Sequence, residues 1–385
     1  MKLIRLLLTF LLTTVALFCL SQAVIVQSVI KLPTDTAIKN ELIWSLNGFL
    51  KQQDRLNKNN EFVLKENLLA MSDLLDEISG MAQGSKAKDF FKCYVTNVVK
   101  ISEDSYVVQF SYLGMTDNNP VLRASFKVIA KRGDNKFYFS SPLKQNTIGW
   151  KVKRLDNVTY YYKDTLNNID AKAYQRDLNY DDQLINAPRQ YVEFYCCNNF
   201  IEAQEILGID FKLDYNGMQY GTLTSHENNE GLVVSGRISK KQRYNPHDLW
   251  HDQLHQVISL DTINRPVDEG CAYLFGGSWD YTWAEVLAKF KKYAADNPKA
   301  DWLDLYINNT KFANDSQPLV ISYALNALIV QKINNEHGFE PVIQLITCGK
   351  RKNGDENYFA ALNKITGINK ASFNVKMWEL IKAAR

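Results

Sequence analysis

Apolar positions along the chain follow two different periods. Between residues 35 and 90 they recur every three to four places, as in Leu42, Leu46 and Leu50, then Leu68, Met71 and Leu75. That spacing puts them on one face of a helix. After a break at 80–88 the pattern changes to short runs rich in β-branched and aromatic residues, starting at Cys93, Tyr106, Leu122 and Lys136. Turn signals such as Asp117-Asn-Asn-Pro and Gly133-Asp-Asn separate these runs, which predicts an antiparallel meander. Trp150-Lys-Val-Lys adds a last strand.

A second region opens at Val158-Thr-Tyr-Tyr-Tyr. It continues with a helix, a strand at Gln190-Tyr-Val-Glu-Phe-Tyr, and a helix from Phe200 that ends at Gly208. A short strand, Gly231-Leu-Val-Val-Ser-Gly, follows. From Trp283 onward the pattern is helical almost to the end of the chain. The expected fold class is α+β. It comprises a helix-plus-antiparallel-sheet accessory domain over 24–154, and a domain over 155–385 with a mixed sheet and a mostly helical C-terminal part. The accessory domain shows no residues that carry chemistry.

The length of 385 residues suits two domains. With 46% hydrophobic and 23% charged residues, the chain is neither disordered nor a polytopic membrane protein. Residues 1–23 read as an export signal: Lys2 and Arg5, an apolar run from Leu6 to Leu20, and small residues around Ser21-Gln22-Ala23. The alternative is an uncleaved anchor. Cleavage is expected to leave a periplasmic or extracellular chain whose formal charge falls from +3 to about +1 without Lys2 and Arg5. Such a balance gives no electrostatic reason for a nucleic-acid or membrane-surface partner. The remaining cysteines, Cys93, Cys196, Cys197, Cys271 and Cys348, do not form a disulfide framework and read mostly as small buried thiols.

The candidate chemistry is concentrated in one segment. Three of the 5 histidines, His247, His251 and His255, stand at four-residue spacing, so a helix would carry all three on one face. A rise of about 1.5 Å per residue separates the first and third by about 12 Å, too far for one ion. One pair can therefore hold a metal, either His247 with His251 or His251 with His255. Glu269, 17 residues beyond His251 when only intervening positions are counted, offers a carboxylate from a second helix. Two imidazoles and a carboxylate are a zinc-binding set, and a carboxylate one residue after the first histidine is placed to take a proton from water. Asn245 and Pro246 read as the cap and first residue of the histidine helix. The same helix could also be a capped, solvated one without metal.

His247-Asp248-Leu-Trp-His251 together with Asp268-Glu269-Gly270-Cys271-Ala272-Tyr273 resembles the gluzincin metallopeptidases, in particular peptidase MA-like domains. Those carry His-Glu-x-x-His on one helix and Glu-Gly-x-Ala on a later one. The helical stretches around Ser322, Glu336-His337-Gly338, Tyr358 and Trp378 resemble the tail of such domains, so the likeness extends over about 155–385. It implies His247, His251 and Glu269 as zinc ligands, Asp248 at the position of the catalytic glutamate, and His255 as support. Tyr273, one helical turn after Glu269, is a candidate to hold a ligand histidine or an oxyanion, or else a core aromatic. The implied activity is hydrolysis of a peptide or protein substrate, with 231–238 as an edge strand to which a peptide adds. His226-Glu227 reads as a loop.

The chain departs from that pattern at Asp248. Aspartate is one methylene shorter than glutamate, so its reach falls by roughly 1.2–1.5 Å. A misplacement of about 1 Å can cost a catalytic group on the order of a hundredfold. The competing expectation is a weak or inactive gluzincin-fold binding protein that keeps its zinc. A phosphohydrolase built on the His-Asp dipeptides is a third, opposed by the strands and by Glu269-Gly270.

Overall fold

The computed structural model describes residues 24–53, 55–84, 89–237, 244–313 and 317–384. The expected export signal lies outside them. Within the described residues the chain divides into two compact units: Met1–Leu166 with Tyr191–Ile238, and Asn167–Gln190 with Ser239–Arg385. The fold class is α+β, as expected. The division expected near residue 154 differs from these units, because the chain crosses from one to the other more than once.

The first unit holds two sheets. Strands β1 (Ile25–Val26), β2 (Lys92–Lys100), β3 (Ser105–Thr116), β4 (Asn119–Arg132) and β5 (Phe137–Ser140) lie side by side in that order. The pairs β2–β3, β3–β4 and β4–β5 are antiparallel, so the predicted meander is present. Alternation builds its core: Tyr106, Val108, Phe110 and Tyr112 of β3 are buried with Phe126 and Val128 of β4. The helix Thr36–Lys51, capped by Asp35, buries Leu42, Leu46 and Phe49, and the helix Leu68–Ile78 buries Met71, Leu75 and Ile78. These side chains belong to one hydrophobic cluster with the meander.

The second sheet contains β6 (Lys151–Leu155), β7 (Val158–Tyr162), β8 (Tyr191–Cys196), β10 (Thr222–Glu227) and β11 (Glu230–Ser235), while β9 (Ile209–Lys212) pairs with β4. The order is β10-β11-β8-β7-β6, with parallel pairing at β11–β8 and β8–β7, so the sheet is mixed. The strand expected to be an open edge is not one: β11 is paired on both sides, by β10 and by β8. His226 likewise lies in a strand, β10, rather than in a loop. The positive φ of Asn228 and Asn229 makes the tight β10–β11 hairpin that places it there.

The second unit is nearly all helical. At its centre runs the helix Ile321–His337, with Ile321, Ala324, Leu325, Leu328, Ile329, Val330 and Ile333 all buried. A helix apolar on most faces is an interior one. It ends at Gly338. The helix Arg265–Gly276 packs closely against it. A Cβ on Gly270 would stand 2.5 Å from the Asn326 Cβ, so only glycine allows this approach. Among the described residues no helix is long and apolar enough to cross a membrane.

Candidate metal centre

The site belongs to the second unit and is built on two consecutive helices. The first, Pro246–Val257, starts as its sequence predicts: Pro246 opens it and the Asn245 side chain accepts the His247 N–H. Its core face buries Leu249, Trp250 and Leu254. The stripe beside Trp250 and Leu254 carries His247, His251 and His255, with ring centroids 4.9 Å apart for the first pair and 5.5 Å for the second. The second helix, Arg265–Gly276, carries Asp268 and Glu269.

Three acceptor atoms converge. His247 Nε2 and His251 Nε2 are 3.3 Å apart, and Glu269 Oε2 lies 3.6 Å from the first and 4.0 Å from the second. A tetrahedral ion with bonds of about 2.0–2.1 Å would hold its ligand atoms roughly 3.3–3.4 Å apart. The set therefore needs only small contraction around Glu269 to fit zinc.

The other ring nitrogens are already engaged. His247 Nδ1 lies 2.7 Å from the Gly277 carbonyl oxygen. A carbonyl has no proton to give, so Nδ1 carries the hydrogen and Nε2 is left with its lone pair. His251 Nδ1 lies 2.9 Å from Asp268 Oδ1 and donates to that carboxylate in the same way. Two imidazole lone pairs and a carboxylate thus point at one spot, and they repel one another unless a cation sits among them. That chemistry fits a metal ion, and the carboxylate and carbonyl behind the imidazoles are the usual means of fixing ligand histidines.

Asp268 serves several donors at once. Besides His251, its Oδ1 accepts the Trp250 indole N–H at 3.0 Å, and Oδ2 faces His255 Nε2 at 3.1 Å. Burial pushes this carboxyl up, but the hydrogen bonds from His251 and His255 outweigh it and hold the group well below the usual carboxylate range. Glu269 is also buried, which raises its pKa, yet the neighbouring His247, His251 and Arg265 bring it below the ordinary value. For His247, burial lowers the pKa, while Glu269 and the Gly277 carbonyl more than reverse this and raise it.

Backbone approach sets where His247 stands. A Cβ on Gly276 would lie 2.2 Å from the His247 backbone nitrogen, so the end of the second helix touches the start of the first only because residue 276 is glycine.

The sequence-predicted residues are distributed as follows. His247, His251 and Glu269 come together, with ligand atoms all within 4.8 Å of one another. His251, His255 and Asp268 form a second, overlapping group. There Asp268 already serves Trp250 as well as both imidazoles, whereas in the first group the Nε2 atoms have no other partner of their own. Asp248 is exposed, and its Oδ2 accepts from the Asn245 amide at 2.7 Å, at the start of the helix. Tyr273 is buried, with its ring centroid 5.9 Å from that of His247 and its hydroxyl accepting the Val320 N–H at 3.3 Å. Asp268, Trp250 and the Gly277 carbonyl were not singled out from sequence. Asp268 was visible only as the neighbour of Glu269, and no periodicity links it to His251.

Beside the three acceptors opens a cavity of about 610 Å³, whose lining includes His251, His255, Glu269, Arg265 and Lys350. Comparison with known protein families, with curated proteins and with solved structures returns no match for this chain.

Proposed function

We propose that this chain is a zinc-binding, peptidase-like hydrolase of gluzincin type, exported by its N-terminal segment and acting on a peptide or protein substrate. The observation that carries the proposal is the convergence of His247 Nε2, His251 Nε2 and Glu269 Oε2, with both Nδ1 atoms committed elsewhere. A zinc ion held by these three residues would polarise a peptide carbonyl and lower the pKa of water. The chain's own groups would do the rest. Gly277 and Asp268 keep the two imidazoles oriented, Arg265 steadies the outer oxygen of Glu269, and Asp248, which follows His247, is the candidate proton acceptor.

A second reading has its own support. Asp248 is engaged with Asn245 and exposed, and must leave that bond before it can take a proton. On that reading the chain keeps zinc and binds peptide without turning it over.

One set of measurements separates these. Zinc content of the purified chain, with digestion of a broad peptide library by native protein, Asp248→Ala and Asp248→Glu, is expected to give about one zinc per chain in all three. Chelator-sensitive cleavage by the native protein, lost in Asp248→Ala, supports the hydrolase. Cleavage only in Asp248→Glu supports the binding protein. A native chain that takes up no zinc sinks both.

A further inference from the structure

The cavity beside the acceptor triad has an uneven charge distribution. Its two carboxylates are turned inward: the side chains of Asp268 and Glu269 are 5% and 13% exposed and are engaged by the imidazoles. Its cations are turned outward: Arg265 is 77% exposed and Lys350 63%. Arg351, also in the lining, is committed to Asp355 and to the carbonyls of Tyr306 and Ile307, so it belongs to the wall. Leu260 and Ile263 give the same cavity an apolar side. An occupant would therefore meet positive charge and hydrocarbon, with the carboxylates of the lining itself buried.

Arg265 and Lys350 have capacity to spare. Arg265 donates through Nε to Glu269 Oε1 at 3.3 Å and also meets the Tyr323 hydroxyl, which leaves further N–H groups for a ligand. A guanidinium has five N–H donors, and its planar edge matches a carboxylate with two parallel bonds. Lys350 pairs with Asp261, whose side chain is 85% exposed. Such an exposed pair contributes little net stability, so a better placed carboxylate can replace it. Glu269 links this corner to the metal position, with Oε1 toward Arg265 and Oε2 toward His247. An anion held here would lie close to the reacting bond.

We infer that this cavity binds a carboxylate of the substrate through Arg265 and Lys350, beside the apolar wall of Leu260 and Ile263. The inference rests on the zinc-hydrolase reading of the site and adds its substrate preference. The carboxylate can come from a free peptide C-terminus or from an aspartate or glutamate side chain, and the experiment distinguishes these.

The probes are three N-acetylated alanine pentapeptides: one with a free C-terminus, one amidated, and one amidated with a central glutamate. Binding to the zinc-loaded full chain is measured by calorimetry at low and at high salt, with zinc content determined in parallel. At least one anionic peptide is expected to bind about tenfold more tightly than the neutral amide at low salt, with the advantage shrinking as salt screens it. The peptide that shows it identifies the source. Lys350→Met is expected to lose part of that preference with its zinc content unchanged, and Lys350→Arg to retain it. Zinc-loaded protein that binds all three peptides equally, or none of them, overturns the anion site and leaves the metal reading standing. A chain that takes up no zinc overturns both.

Discussion

His247 Nε2 and His251 Nε2 face each other at 3.3 Å while the Nδ1 of each ring is held by a different oxygen, the Gly277 carbonyl for one and the Asp268 carboxylate for the other. Two acceptors at that distance are stabilised by a positive charge between them or beside them, a proton or a metal ion. With Glu269 Oε2 on the third side, the proposed zinc would meet all three. His247→Ala or His251→Ala is expected to abolish zinc binding, and His255→Ala to retain it, as read by metal analysis after dialysis. Zinc at about a hundred times its dissociation constant should stabilise the native protein by about 2.7 kcal/mol, and neither ligand variant should show this.

Asp268 is predicted to govern affinity without being a ligand of the preferred set. Asp268→Asn keeps the shape but removes the charge that His251 and His255 face and puts an amide N–H where one of them donates. Losing such a partner behind a ligand histidine costs about 10–100-fold in metal affinity. Competition against a chromophoric chelator measures it, and an unchanged affinity would assign Asp268 to folding alone.

Gly276→Ala tests the contact between the two helices. The added methyl would stand 2.2 Å from the His247 backbone nitrogen, so the helices must part. Overpacking of this kind costs about 1–3 kcal/mol. The expected result is a lower midpoint in denaturant together with weaker zinc binding, since His247 moves with its backbone.

His226 makes the first unit acid-sensitive. The residue is partly exposed at its edge, but both ring nitrogens are shielded and without a hydrogen-bond partner. Burial lowers its pKa to about 4. The unfolded chain therefore binds a proton at higher pH than the folded one. The contribution is whole above about pH 6.5 and is lost as pH falls toward 4, to at most about 3 kcal/mol. In His226→Leu this part of the pH dependence between 6.5 and 4 should be absent from denaturation midpoints.

Asp181 acts in the opposite sense in the second unit. It is almost fully buried, and burial, with help from Asp177 and Asp182, pushes its carboxyl up to about 8. Its contribution is whole below about pH 3.8 and falls as pH rises toward 8, because the unfolded chain ionises first. Asp181→Asn should therefore gain stability over the native chain as pH rises from 4 to 8, by at most about 1.4 kcal/mol per pH unit.

Much of the architecture was legible because it is local. The three-to-four spacing of Leu42 and Leu46, the alternation around Phe110, and the stop at Gly208 each depend on neighbours a few residues away. The helix cap at Asn245 was readable for the same reason. The pairing of β11 was not. An isolated run such as Gly231-Leu-Val-Val-Ser says that a strand is buried, but not that β10 and β8 flank it. His226 was misread as a loop residue because the Asn228-Asn229 turn that makes the hairpin was overlooked.

The sequence by itself determined the donor types and their stripe: helical spacing fixes that His247 and His251 share a face, and composition fixes that few other imidazoles exist. Only the tertiary structure decided which nitrogen of each ring is free, because that depends on Gly277 and Asp268, which reach the histidines from a second helix through space. It also decided that Asp248 bonds to Asn245 and that Arg265 and Lys350 share a cavity with the triad. Lone pairs, tautomers and cavity charge are set by contacts between distant segments, and no local spacing rule encodes them.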